Sequence, residues 1–254
     1  MSCFIFCLLL LVSSVLSTTT FQPSGVPFKS PVTSTPGFTA SVLFSNLTTP
    51  RGITLDSLGN LLVVERGFGV TAFAEAQNAS GWERTVVLLS PNFTQGIQVD
   101  GDKLYVSTAG QLLKYDYVAS AKAVTGGPAI LVDGIPPNGG KHPTRRRTSS
   151  LINPGVDLIT HALQLEKTTF GSTNILIAVG PFTSIDPTAR DPSSGRSQIR
   201  RFPLTPNNPT QSFFSGQLVA FGIRNPAGFA FSLTLPSKTL YVVENGASID
   251  NTTG

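Results

Sequence analysis

The sequence predicts an all-β protein of the β-propeller class, and three observations carry that reading. One strand–turn–strand phrase repeats at blade length, Gly and Pro mark the turns, and no useful helical period occurs outside the N-terminal segment. In the first copy, Pro50-Arg51-Gly52-Ile53-Thr54-Leu55-Asp56 leads through Ser57-Leu58-Gly59-Asn60 into Leu61-Leu62-Val63-Val64-Glu65-Arg66-Gly67. In the second, Thr94-Gln95-Gly96-Ile97-Gln98-Val99-Asp100 turns at Gly101-Asp102 into Leu104-Tyr105-Val106-Ser107, and a third strand runs from Gly110 to Asp116. Gly52 and Gly96 stand 44 positions apart, within the roughly 40–45 residues of a four-stranded blade. A β-sandwich also has closely spaced strands, but it does not repeat one phrase at this period.

Two looser copies follow. One joins Ala162-Leu163-Gln164-Leu165, Asn174-Ile175-Leu176-Ile177-Ala178-Val179-Gly180 and Ser197-Gln198-Ile199-Arg200-Arg201-Phe202. The other joins Ala227-Gly228-Phe229-Ala230-Phe231-Ser232 to Thr239-Leu240-Tyr241-Val242-Val243-Glu244-Asn245-Gly246. About four blades are therefore expected. Rings close with roughly 4–8 complete blades, and the fourth copy stops after its second strand, so the propeller is expected to be partial.

Composition agrees with one large β domain. The chain has 254 residues with 24 Gly and 19 Pro, and only 13% are charged, which argues against a disordered polar chain. The net charge is +4, and much of the excess sits in Arg145-Arg146-Arg147. No basic stripe interleaved with aromatics exists, so a nucleic-acid partner is not expected.

Residues 1–17 read as a signal peptide: an apolar run from Phe4 to Val12, then small residues with Val15 and Ser17 at cleavage spacing. The run is shorter than the roughly 20 apolar residues of a bilayer span, so no membrane span is expected after cleavage. Both cysteines, Cys3 and Cys7, lie inside it, which leaves the mature chain without a disulfide. Sequons at Asn46, Asn78, Asn92 and Asn251 fit a secreted, extracellular glycoprotein. Residues 18–40 form a Ser/Thr/Pro-rich strap, and residues 41–254 form the partial propeller.

Propeller sites lie on loops at one end of the central channel, which directs attention to three segments. His142 sits in Gly139-Gly140-Lys141-His142-Pro143-Thr144-Arg145, although a single loop histidine is often an ordinary surface residue. Arg224-Asn225-Pro226 offers a guanidinium fork and an amide in a fixed turn, suited to a planar anion and equally to a plain turn. Glu244-Asn245-Gly246-Ala247-Ser248-Ile249-Asp250 is rich in oxygen donors of the kind Ca²⁺ takes, without the spacing of a helix–loop–helix calcium site.

Together, Gly222-Ile223-Arg224-Asn225-Pro226-Ala227-Gly228-Phe229-Ala230-Phe231 and Leu240-Tyr241-Val242-Val243-Glu244-Asn245-Gly246 resemble the glucose/sorbosone dehydrogenase family. The Gly-Gly-Lys-His-Pro-Thr-Arg segment and Ser184-Ile185-Asp186 through Arg200 are similar to its fungal sugar-oxidising branch. The resemblance runs from about Arg51 to the end. It implies a six-bladed propeller, pyrroloquinoline quinone (PQQ) and calcium as cofactors, a sugar substrate and an external electron acceptor such as a redox protein.

By the same resemblance, His142 is the general base for the sugar's anomeric hydroxyl as hydride passes to the quinone. Arg224, Asn225 and Gln95 bind PQQ, and Gly246 and Ala247 offer backbone carbonyls to Ca²⁺. Residues 146–160 interrupt the passage into the next strand, as an inserted loop or as non-coding sequence, and Lys141 separates His142 from the paired glycines, which leaves His161 as a minor rival for the base. A calcium-dependent lactonase and a non-catalytic secreted propeller are the competing functions.

Overall fold

A computed structural model of the chain describes residues 27–76, 81–137, 161–168, 173–183, 185–205, 209–232 and 238–246. The chain divides after Ser45 into two units, each considered by itself. In the first, residues 27–45 carry no strand or helix, and a turn closes where the Phe38 amide donates to the Thr35 carbonyl at 3.0 Å.

The second unit is a row of β-sheets. The first sheet holds β1 (Pro50–Leu55), β2 (Leu61–Glu65), β3 (Gly69–Glu75) and β4 (Trp82–Leu89), antiparallel and in chain order. The second repeats that meander with β5 (Phe93–Asp100), β6 (Lys103–Thr108), β7 (Gln111–Val118) and β8 (Ala123–Asp133). The third contains β9 (Leu163–Lys167), β10 (Thr173–Val179) and β11 (Gln198–Leu204); its chain then crosses back as β12 (Gln211–Ser212), parallel to β8, before returning as β13 (Gln217–Phe221). A fourth sheet has two strands, β14 (Pro226–Phe231) and β15 (Leu240–Glu244).

This is the blade architecture of a β-propeller. The strands expected from the repeat are the first two of each sheet, plus β7 and β11. The outer strands β4, β8 and β13 carry exposed or mixed faces and no repeated phrase, so they were not legible.

The second strands β6 and β10 are apolar on both faces because their sheets each lie between two others. Leu104 and Val106 of β6 face the first sheet's Leu62, Val64, Val70 and Ala72, while Tyr105 faces the third sheet. Along β10, Ile175 and Ile177 pack toward the second sheet, whereas Leu176 and Ala178 pack toward Phe229, Phe231 and Val242 of the fourth. The side-chain period of two thus divides one continuous apolar run between two cores.

First strands of successive sheets meet without a side chain between them. A Cβ on Gly52 of β1 would collide with the Gln95 carbonyl of β5, and a Cβ on Gly96 would collide with the His161 carbonyl beside β9. The glycines that mark the repeat are therefore close-approach residues, a role that needs the absence of a side chain rather than an unusual φ.

Polar ties span the same seams. Asp56, in the β1–β2 turn, accepts from the Leu58 and Asn60 amides at 2.9 Å each and from the Tyr117 hydroxyl of β7 at 2.8 Å. Burial, and then the Asp56 carboxylate, push the Tyr117 phenol well above its ordinary pKa, so it remains a donor. The Asn60 amide also donates to the Ala119 carbonyl, and Lys167 pairs with Asp100 at 2.7 Å.

The described sheets do not close on themselves. Ile53 and Leu55 are 63% and 62% exposed on the first sheet, and Tyr241 and Val243 are 64% and 67% exposed on the fourth. No helix among the described residues is long and apolar enough to cross a membrane.

Gly96→Ala is expected to destabilise the chain by about 2–3 kcal/mol, since a rigid backbone carbonyl blocks the new methyl. Tyr117→Phe should cost about 1–2 kcal/mol through the lost charge-assisted bond. Denaturant unfolding of the two variants beside the parent checks both figures.

Candidate functional site

The first strands begin, and the second strands end, on one side of the sheet row. Gln95 enters β5 there, Arg224 and Asn225 form the turn from β13 into β14, and Glu244, Asn245 and Gly246 follow out of β15. Pro226 is buried and opens β14; its ring favours an extended Asn225.

Hydrogen bonds bring these pieces together. The Gln95 Nε2 donates to the Ala227 carbonyl at 2.6 Å, which ties the second sheet to the fourth. Ser197 Oγ, at the start of β11, donates to the Arg224 carbonyl at 3.1 Å, and the Gly222 amide donates to the Ser197 carbonyl at 3.0 Å. The Arg224 amide donates to Glu244 Oε1 at 3.1 Å, and the Asn245 amide donates to the Asn225 carbonyl at 3.0 Å.

The guanidinium completes the cluster. Arg224 Nη1 donates to the carbonyls of Asn245 at 2.8 Å and Gly246 at 2.6 Å. Two consecutive carbonyl oxygens therefore converge on one cationic nitrogen, beside the Glu244 carboxylate. That donor set is what a hard cation takes from a protein backbone. The described residues hold no group of three or more His, Cys, Asp or Glu able to bind a metal.

Of the residues expected at the site, Gln95, Arg224, Asn225 and Gly246 are brought to one cluster. His142 and Ala247 lie outside the described residues, as does the 146–160 interruption. Ser197 was not singled out from the sequence. It has a φ of 53° and bonds the Arg224 carbonyl, and a serine in that conformation leaves no signal in the chain.

His161 takes a different role from the one its sequence position allowed. It is fully buried; Nδ1 faces the Thr108 carbonyl at 2.8 Å, so the neutral ring carries its proton there, and Nε2 has no hydrogen-bond partner among the described residues. Its own carbonyl accepts from Ser107 Oγ at 3.0 Å. Burial pushes the imidazole down to about pKa 4, against the opposing pull of the Thr108 and Pro136 carbonyls. A ring so enclosed and so weakly basic is a seam residue between the second and third sheets, not a proton acceptor for a solvent-borne substrate.

A family profile described as TrAA12-like matches residues 32–253. The chain belongs to the TrAA12-like family. Curated relatives of this TrAA12-like chain include a PQQ-dependent sugar dehydrogenase of Hypocrea jecorina, 27% identical over 85% of the chain and 47% of that protein. A PQQ-dependent pyranose dehydrogenase of Coprinopsis cinerea is 31% identical over 85% of the chain and 27% of that protein. The TrAA12-like chain thus spans about half the length of the first and about a quarter of the second.

Among solved structures, the calcium structure of Trichoderma reesei Family AA12 superposes with a TM-score of 0.69 at 24% identity, over 91% of this chain and 53% of that one; it supports the fold. The holo form of the pyranose dehydrogenase PQQ domain from Coprinopsis cinerea superposes with a TM-score of 0.57 at 26% identity, over 78% of this chain and 49% of that one.

In this TrAA12-like chain, His161 sets an acid limit on stability. Its folded pKa of about 4 lies below the ordinary histidine value of 6.5, so the unfolded chain binds the extra proton between those values. Stability contributed by this group is whole above about pH 6.5 and falls as pH drops toward 4, by on the order of 3 kcal/mol in total. His161→Gln is expected to flatten that part of the pH–stability curve, measured by urea unfolding between pH 4 and 7.

Proposed function

We propose that this chain forms part of a secreted sugar oxidoreductase that uses PQQ and Ca²⁺. The observation that carries the reading is the Arg224 cluster: a guanidinium and an amide held in a turn, facing backbone carbonyls and joined by Gln95 from the second sheet. Membership of a family whose curated relatives carry PQQ-dependent sugar and pyranose dehydrogenase names supports it.

The residues present fit such a group in chemistry. Arg224 supplies a planar fork for carboxylate oxygens, and Asn225 adds an amide donor. Gln95 orients the turn from the second sheet. Gly246 and Ala247 supply carbonyls to Ca²⁺, in keeping with the convergence of the Asn245 and Gly246 oxygens. PQQ held by these residues would supply the hydride acceptor for the sugar, and Ca²⁺ would strengthen it as an electron acceptor.

His142 takes the proton of the sugar's anomeric or equivalent hydroxyl on an imidazole nitrogen and passes it to solvent. The electrons would leave to an external acceptor, such as a redox protein.

The test is an absorbance titration of the purified chain with PQQ in the presence of Ca²⁺, followed by aldose-dependent reduction of an artificial acceptor. Arg224→Ala should weaken PQQ binding about a hundredfold, because it removes one partner of a charge-assisted pair. His142→Ala should abolish turnover while PQQ still binds. Absence of any PQQ binding to the parent overturns the reading, and lactone hydrolysis without a redox cofactor would replace it with the hydrolase alternative. A broad thermal transition unmoved by PQQ would support a non-catalytic propeller instead.

A further inference from the structure

We propose that the connection from β10 to β11 is a substrate-recognition loop. In it Phe182, backed by the Arg196 guanidinium, stacks on the ring face of a pyranose presented at the Arg224 end of the sheets. The proposal rests on the sugar-oxidoreductase reading above and adds to it a sugar-contacting residue from the third sheet.

Length singles the connection out. The step from the second strand of a sheet to its third takes three residues in the first sheet (66–68) and two in the second (109–110), but eighteen in the third (180–197). An antiparallel pair needs only a tight turn there, so the added residues are not required for the pairing of β10 with β11. Ordered connections of such length in a compact domain are usually functional. This one is joined to the site already described. Ser197 closes it, and its Oγ donates to the Arg224 carbonyl at 3.1 Å.

Side chains of the loop hold its own shape. Two 3₁₀ turns, Pro187–Arg190 and Pro192–Ser194, are capped by Asp186 and Asp191. The Asp186 carboxylate gathers the start, middle and end of the loop. Its Oδ2 accepts from the Phe182 amide at 2.8 Å and from Arg196 Nη1 at 3.3 Å, while Oδ1 accepts from the Thr188 amide at 3.0 Å and Thr188 Oγ1 at 2.6 Å. Arg196 Nη1 also donates to Thr188 Oγ1 at 2.6 Å. The Asp186 side chain is buried and that of Arg196 largely so, which makes this ion pair stiffer than a solvated one.

Within this frame Phe182 stays open. It joins none of the three apolar cores and is 41% exposed, although the Arg196 guanidinium stands over its ring at 4.9 Å from the centroid. The cation takes one face and fixes the ring's orientation in advance of any ligand. A pyranose has a face of C–H groups with its hydroxyls directed outward from the ring edge. Stacking that face on Phe182 removes apolar surface of both partners from water while the hydroxyls keep their hydrogen bonds. A single ring set beside Thr183, Thr188 and Arg196 suits such an amphipathic ligand, whereas a wholly apolar one asks for a broader apolar lining.

The test is saturation-transfer NMR of the full chain, without quinone, using methyl β-D-glucopyranoside. That pyranose has no free anomeric hydroxyl and so reports binding alone. The parent is expected to transfer saturation to the C–H protons of the sugar ring. Phe182→Ala should weaken the apparent affinity about tenfold, the scale of one aromatic contact, and Phe182→Tyr, which restores a ring, should recover it. Mannitol, an open-chain polyol without a ring face, should receive little saturation from parent or variants. Absence of transfer to the glucoside in the parent overturns the proposal, and so does equal affinity in the parent and Phe182→Ala. A tyrosine variant no better than alanine, unfolding at the same denaturant concentration as the parent, overturns it too, as does mannitol binding with the same dependence on Phe182. The PQQ titration fails separately: without PQQ binding the oxidoreductase reading falls, while Phe182-dependent binding of the glucoside would remain.

Discussion

Blades in this chain can stack only where their first strands touch backbone to backbone. Gly52 lies against the Gln95 carbonyl and Gly96 against the His161 carbonyl, with no room for a Cβ at either place. Everything on the functional side depends on that approach. It brings the start of β5 near enough for Gln95 to reach Ala227 across the channel end, although the two are distant in sequence. A side chain at Gly52 or Gly96 would wedge the sheets apart and separate the second-sheet contribution from the Arg224 turn.

Burial of charge follows the same plan. Glu65 closes β2 with no exposure and accepts from the Thr48 amide, Thr71 Oγ1 and Arg84 Nη2. Its phrase, Val-Val-Glu, recurs at the end of β15, where Glu244 is exposed and accepts from the Arg224 amide. The same words thus do two jobs. In the first sheet, β3 and β4 supply the partners that enclose the carboxylate. In the fourth, β15 is the last described strand, and the carboxylate turns to the turn beside it.

Much of this was legible in the chain. The 44-residue spacing of Gly52 and Gly96 located the first strands, and continuous apolar runs such as Ile175 to Val179 located the second. Those signals survive because an inner strand buried on both faces has little freedom in composition. The outer strands were not legible: β8 alternates weakly and is largely exposed along its length, so its pairing with β7 is decided by the sheet and not by its own residues. At the site, Arg224 and Gly246 were found by motif, but their direct contact was not, because sequence carries no record of rotamers. His161 shows the converse. A histidine near a loop invites a catalytic reading, and only its complete enclosure against Thr108 reveals a structural one.

The uncovered outer face of β14 and β15 bears on how the chain breathes. Free energies of local opening range from near zero to the global value, and they track how many apolar contacts an element shares. The first three sheets are each clasped by neighbours or by their own outer strands, whereas the fourth rests on one face only, through Phe229, Phe231, Leu240 and Val242. Amide protons of β15 should therefore exchange with solvent far sooner than those of β6 or β10, and a ligand held by the Arg224 turn would slow them selectively. Occupancy of the Arg224 turn would then be read in the exchange rates of β15.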